Sequence, residues 1–211
     1  MTPLIILFVF VTPVRTVTNY SPVMNDVQSQ LEAGHNYGMS VHECTHGINS
    51  RLRNLYKKPS FYVLQNRAVT MSEPCGTLAS VASVVPRSLR GSDYRHYLVK
   101  AQTWWNEQPT YVFDEFVAYT NGSQARKETG KPKGDITIQR MAEFIPYSIC
   151  VPWATKSKDP KMKAFLRWQI KRAMNLGAGK YLDMSGQDTS EFRTFTKGYF
   201  GTNWCKKVLG I

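Results

Sequence analysis

The chain has 211 residues, with 27 Lys or Arg against 15 Asp or Glu and a formal net charge of +12. Its aromatic and aliphatic content excludes a disordered chain, and its length suffices for one domain with a substantial core. The charge favours acidic surroundings, yet no zinc-finger spacing, aromatic RNA-binding signature or Gly-rich phosphate loop accompanies it.

Leu4 to Val11 is an unbroken apolar run, too short to span a membrane. It can serve as the core of a secretory signal, although no basic residues precede it and no small-x-small site follows. It equally suits a buried β-strand between Pro3 and Pro13, and the need for a sheet favours the strand. Localisation therefore stays open, with secretion implied only by the signal reading. A first helix is expected from Pro22 to about Ala33, followed by Gly34, Asn36 and Gly38, which suit an abrupt turn.

A second helix is expected from about Gly38 to Tyr56, ended by Lys57-Lys58-Pro59. Val41, Cys44 with Thr45, Ile48, Leu52 and Leu55 recur at helical spacing as a buried stripe. His42, His46, Asn49 and Arg53 form a second stripe beside it. The sequence His42-Glu43-Cys44-Thr45-His46 thus sets two imidazoles on one helical face, four residues apart, where both can reach one ion. Glu43 lies beside them without needing to ligate, the position from which a carboxylate takes a proton from attacking water.

A catalytic zinc site needs three protein ligands and an open position. A third His six residues after the second is excluded, because Leu52 stands there and Asn49 replaces the intervening Gly. His35 would require the chain to double back, and His96 is the other remaining histidine. Before the better candidate, Phe61 to Val69 reads as a strand or hairpin, Thr77 to Val85 as a small apolar stretch broken by Pro86, and Asp93 to Trp105 as a helix. Then Tyr111 to Asn121 reads as a short buried helix, started by Pro109-Thr110 and stopped by Gly122. Within it Glu115 is surrounded by Phe, Val, Ala and Tyr, where a carboxylate needs a cation. Asp114 points about a quarter turn away and can orient a histidine ring.

His42-Glu43-x-x-His46 with Glu115-x-x-Ala118 on a later helix resembles the gluzincin branch of zincin metallopeptidases, in its lethal-factor-like form. The resemblance spans about 40 residues. It implies that His42, His46 and Glu115 hold Zn2+, that Glu43 is the general base, and that a tyrosine steadies the oxyanion. Tyr111 is the nearest match for that tyrosine, and Tyr119 the alternative.

Thr129 to Asp135 is the clearest loop and the expected lobe boundary. Beyond it, helices are expected at Ile136 to Thr155 (kinked or split by Pro146 and Pro152), Asp159 to Leu176 and Thr189 to Phe200. Lys158, Lys161, Lys163, Arg167, Lys171 and Arg172 gather on the middle one as a solvated face. Cys44, Cys75, Cys150 and Cys205 lack metal-site spacing, and Cys44 reads as an apolar filler; two disulfides would have three connectivities. Together these features describe one α+β domain over 1–211, helix-dominated and zincin-like, with a small sheet packed on the motif helix. Its sheet-bearing part covers about 1–128, its helical part 136–211, and a cleft separates them. The expected activity is a zinc-dependent peptidase acting on a peptide or protein substrate. The rival is a basic binding protein with a structural or vestigial metal site.

Overall fold

Two of the longer helices, α2 (Val41–Tyr56) and α5 (Tyr111–Glu128), cross the middle of the computed structural model, which describes residues 8–17, 21–31, 40–130 and 136–211. The first is capped by Ser40, whose Oγ accepts from the Glu43 N–H at 3.4 Å, and ends on Lys57 in the left-handed region at φ 53°. It buries Val41, Cys44, Thr45, Ile48, Asn49 and Leu52. Leu55, expected on that stripe, is instead 66 % exposed, because the helix outruns its packing partners in its last turn.

An antiparallel sheet lies against these helices in the order β1 (Val9–Phe10), β3 (Arg67–Thr70), β2 (Ser60–Tyr62). Val9 pairs with Ala68, and Phe61 with Val69. The expected hairpin therefore forms, and the last residues of the N-terminal apolar run form a strand; residues 1–7 lie outside the described part. The β2–β3 turn carries Leu64, Gln65 and Asn66 at positive φ. Such backbone persists when its surroundings over-determine it. Here Asp26, on α1 (Pro22–Ser29), accepts from the Tyr62 hydroxyl and from the Gln65 and Asn66 N–H groups.

Helix α5 departs from expectation in length. It continues through Asn121-Gly122 to Glu128, because both residues are buried between neighbours and Asn121 spends its side chain outside its own helix. Its Nδ2 donates to the Tyr62 carbonyl at 3.0 Å and to Thr45 Oγ1 at 3.2 Å, tying sheet, α2 and α5 together. A local stop signal loses to tertiary packing. The helix starts where predicted: Glu73 accepts both the N–H and the hydroxyl of Thr110.

Between sheet and α5, Thr77 to Val84 forms a cap and helix, α3 (Leu78–Val84), with a reciprocal Thr77–Ser80 capping box. Instead of one helix over 93–105, Arg95–Lys100 forms a π-helical segment followed by α4 (Gln102–Trp105). Its wider turn brings Leu98 into the core and Tyr97 against α5. Helix α6 (Ile136–Thr155) is not split by Pro146 or Pro152; nearly every residue from Met141 to Pro152 is buried, and that packing holds the helix across the missing donors. Helices α7 (Pro160–Leu176), α8 (Ser190–Phe200) and an unanticipated α9 (Thr202–Leu209) complete the chain. On α7, Lys158, Lys161 and Lys171 beside and along it are exposed, but Lys163 and Arg167 lie over the rings of Tyr199 and Trp204. All four cysteines are free, three of them buried. Among the described residues no helix is long and apolar enough to cross a membrane.

The apolar interior falls into two clusters. The larger joins β2 and β3 to α3 and α5 through α9; the smaller gathers Val23, Val27, Ile48, Leu52 and Tyr62 with their neighbours around α1 and α2. Helices α2 and α5 meet where the two clusters adjoin, and there the buried groups turn polar.

Candidate metal centre

Helix geometry places His42 and His46 one turn apart on α2, and the start of α5 brings Glu115 to them. His42 Nε2 is 3.1 Å from His46 Nε2 and 3.6 Å from Glu115 Oε2, and His46 Nε2 is 3.4 Å from the same oxygen. These three residues form a group that could hold a metal ion. The spacing has a simple meaning: tetrahedral bonds of about 2.0–2.1 Å separate ligand atoms by roughly 3.3 Å. Glu115 is 5 % exposed, and its Oε2 is buried without a hydrogen-bond partner among the described residues. A buried carboxylate oxygen left so is costly unless a cation completes it. The donor set and the orphaned oxygen fit a divalent ion.

Around the triad, Glu115 and His46 are each held by a second contact, whereas His42 Nδ1 is buried with no hydrogen-bond partner among the described residues. Tyr111 Oη donates to Glu115 Oε1 at 2.7 Å, which leaves Oε2 aimed at the histidines. Asp114 Oδ1 lies 3.0 Å from His46 Nδ1 and accepts from Asn49 Nδ2 at 2.6 Å, while Arg53 Nη2 lies 3.7 Å from Oδ2. The Asn49 amide oxygen in turn accepts from the Tyr62 N–H at 2.6 Å, so the sheet braces the group that orients the ring. Thus Asn49 and Arg53, the polar stripe that continues from the histidines, converge on Asp114.

Protonation follows from this packing. Burial lowers the His42 pKa, and the neighbouring His46 lowers it further against the opposing pull of Glu115, Glu43 and Asp114. Burial alone would lower His46 as well, but the bond to Asp114 and the negative charges of Asp114 and Glu115 raise it to about 10. The pair therefore shares one positive charge, carried by His46, although both rings lie within ion-pair distance of Glu115. With His46 protonated, its Nε2–H faces His42 Nε2 at 3.1 Å, and a metal ion held by both rings would have to replace that proton.

Glu43 stands beside the triad and not in it. Its side chain is 57 % exposed, with Oε1 4.0 Å from His42 Nε2. It lines a cleft of about 570 Å3 together with His42, Tyr97, Tyr119, Gly122 and Arg140. This cleft lies between α1, α2 and the ends of α5 and α6. Tyr119 packs 4.2 Å from the His42 ring, its hydroxyl 2.6 Å from that of Tyr97 and 3.4 Å from Arg140 Nη1. Burial raises the pKa of Tyr97 and Tyr119, the latter opposed by Tyr97 and Arg140, so both remain neutral O–H groups near neutral pH. Tyr111 likewise stays neutral, pushed up by burial and by Glu115.

The sequence-predicted residues His42, His46, Glu115, Glu43, Tyr111, Tyr119 and Asp114 all meet here. His96 is exposed on the π-helical segment outside the group, and His35 lies outside the described residues. Tyr97 and Arg140 were missed. They come from the π-helical segment and α6, and no linear spacing links either to the motif helix. Comparison with protein-family models, with curated proteins and with solved structures finds no match to this chain.

Proposed function

We propose that this protein is a zinc-dependent peptidase, in which His42, His46 and Glu115 hold the ion and Glu43 is the general base. The observation that carries the proposal is the triangle of ligand atoms with an orphaned Glu115 oxygen, flanked by a carboxylate free of coordination. Two His nitrogens and one carboxylate oxygen are a donor set that suits zinc with a position left open. When bound, the ion supplies Lewis acidity to the carbonyl and to water.

The chain's own residues do the rest. Glu43 takes the proton of the attacking water and returns it to the leaving amine. Its exposure on the cleft wall leaves it free to approach a substrate. Tyr111 is already committed to Glu115, so its part is to aim a ligand. Tyr119, with Tyr97 behind it, offers the hydroxyl better placed in the cleft for a developing oxyanion. Asp114 fixes the His46 ring and its tautomer. A motif helix backed by an antiparallel sheet and faced by a second helix that carries Glu115 supports the zincin-like reading.

The test is elemental analysis of the purified chain followed by a fluorogenic peptide library. One zinc per chain with hydrolysis is expected, and Glu43→Gln should keep the metal while losing about 10²–10⁴ in rate. Absence of metal, or equal turnover by Glu43→Gln, removes the peptidase reading. Metal without any hydrolysis favours a structural metal in a basic binding protein.

A further inference from the structure

A second polar cleft, of about 400 Å3, opens between the last turns of α5 and α7, lined by Gln124, Lys127, Trp168, Lys171, Arg172 and Asn175. Gln124 follows Glu115 by nine residues, about 14 Å along a helix at 1.5 Å per residue, so this cleft is separate from the triad. With Leu176, seven residues line it, of which three are cations and none is an acid. Among the described residues Lys127, Lys171 and Arg172 form no ion pair.

Arg172 is the unusual member. Its Nε and Nη2 both donate to one neutral acceptor, Gln124 Oε1, at 3.2 and 2.7 Å. Its Nη1 is buried with no hydrogen-bond partner, and its guanidinium lies 5.6 Å from the Trp168 ring centroid. Burial, and then the positive charge of Arg67, push its pKa down to about 9, with Asp26 the one acid that opposes them. That acid is already spoken for by the Tyr62 hydroxyl and the Gln65 and Asn66 N–H groups. A guanidinium is normally charged whatever its surroundings and seeks an oxyanion with its planar fork. Here it has an amide oxygen, a second cation nearby, and two lysines around the open side.

We infer that this cleft is a binding site for a phosphate-class oxyanion, with Lys127, Lys171 and the Asn175 amide donating to its oxygens above the Arg172 guanidinium. Three positive charges without a counter-anion among the described residues match a doubly charged ligand better than a single carboxylate. The inference is independent of the metal centre.

Inorganic phosphate titrated into the full chain by calorimetry at low ionic strength tests it. Wild type should show one saturable site. Lys127→Gln with Lys171→Gln should bind about tenfold more weakly or worse, since each lost charge-assisted bond is a large share of so small a ligand's affinity. Lys206→Gln with Lys207→Gln, exposed on α9, removes the same charge elsewhere and should stay within about twofold of wild type. Arg172→Gln should weaken binding as well, but the lysine pair decides the matter if that variant misfolds. Sedimentation with phosphatidylcholine vesicles containing phosphatidic acid separates the sources. Lys127- and Lys171-dependent sedimentation assigns the site to a lipid headgroup, and binding seen only in the titration assigns it to a soluble phosphate. No saturable phosphate binding together with no site-dependent sedimentation overturns the inference, as does equal weakening in the α9 variant.

Discussion

The α2–α5 contact and the α6–α7 contact are both deeply buried helix pairings, yet they bury opposite chemistry. The side chains that α6 and α7 bury are mostly apolar, Met141, Phe144, Ile145, Ile149, Phe165, Leu166 and Ile170 among them, with Ser148 and Gln169 as polar exceptions. Between α2 and α5 they include Thr45, Asn49, Asp114, Glu115 and Asn121. An apolar interior stabilises in proportion to the area removed from water, whereas buried polar groups at best break even after desolvation. A protein that places a carboxylate with an orphaned oxygen in its middle gives up stability there for something else. On the function proposed above, that is the binding of a metal ion.

The comparison can be broken most severely in the apolar half. Phe165→Ala should cost about 3–5 kcal/mol in denaturant unfolding, because Phe165 is fully buried, stacks on Phe61 and packs at a tilt against Phe113. It should leave the metal affinity of the surviving folded protein unchanged, and a parallel loss of affinity would show that the two halves are not distinct. In the polar half the sensitivities invert. Asp114→Asn should lower metal affinity by about 10–100-fold, as loss of a ligand-orienting carboxylate does, with a smaller effect on unfolding than Phe165→Ala. Unchanged affinity in a chelator competition would deny Asp114 its orienting part.

Protons sharpen the contrast further. The His46 pKa of about 10 in the metal-free protein lies above its ordinary 6.5, so its contribution to metal-free stability is fully present below pH 6.5 and lost as pH rises through about 10. A metal must displace that proton. Apparent metal affinity should therefore climb about tenfold per pH unit between these values, and calorimetry in buffers of different ionisation heat near neutral pH should find one proton released per ion bound. Zero release would mean that His46 is neutral before the metal arrives. The smallest expected effect is a gain. Gly122 lies inside α5, where an added Cβ would meet His42 Cβ at 3.7 Å and nothing closer, an ordinary contact. Gly122→Ala should stabilise by about 0.5–1 kcal/mol, read as a raised unfolding midpoint. A loss instead would show that α2 and α5 need a closer approach than they have here.

Much of the candidate metal centre was legible in the chain because its elements are local. The four-residue step from His42 to His46 follows from helix pitch, and the amphipathic stripe around it needed only neighbouring residues. Glu115 was readable for a different reason: an acid amid Phe, Val, Ala and Tyr advertises an unmet need for a cation, as does Asp114 beside it. The same local logic failed at Gly122, Pro146 and Pro152. Each is a breaker by its own backbone preference, worth about 1–3 kcal/mol, and each sits where burial on several sides outweighs that preference.

What the sequence alone determined, then, was the pair of histidines on one helical face, the buried acid awaiting them, and the helix-rich class of the fold. Only the tertiary structure decided that α5 continues past Gly122, that the sheet braces Asp114 through Asn49, and that Tyr97 and Arg140 face the cleft. Helical pitch acts over four residues and is written in the order of the letters. Contacts between groups 20 to 70 positions apart depend on how whole elements pack, and packing energy belongs to no short stretch of chain.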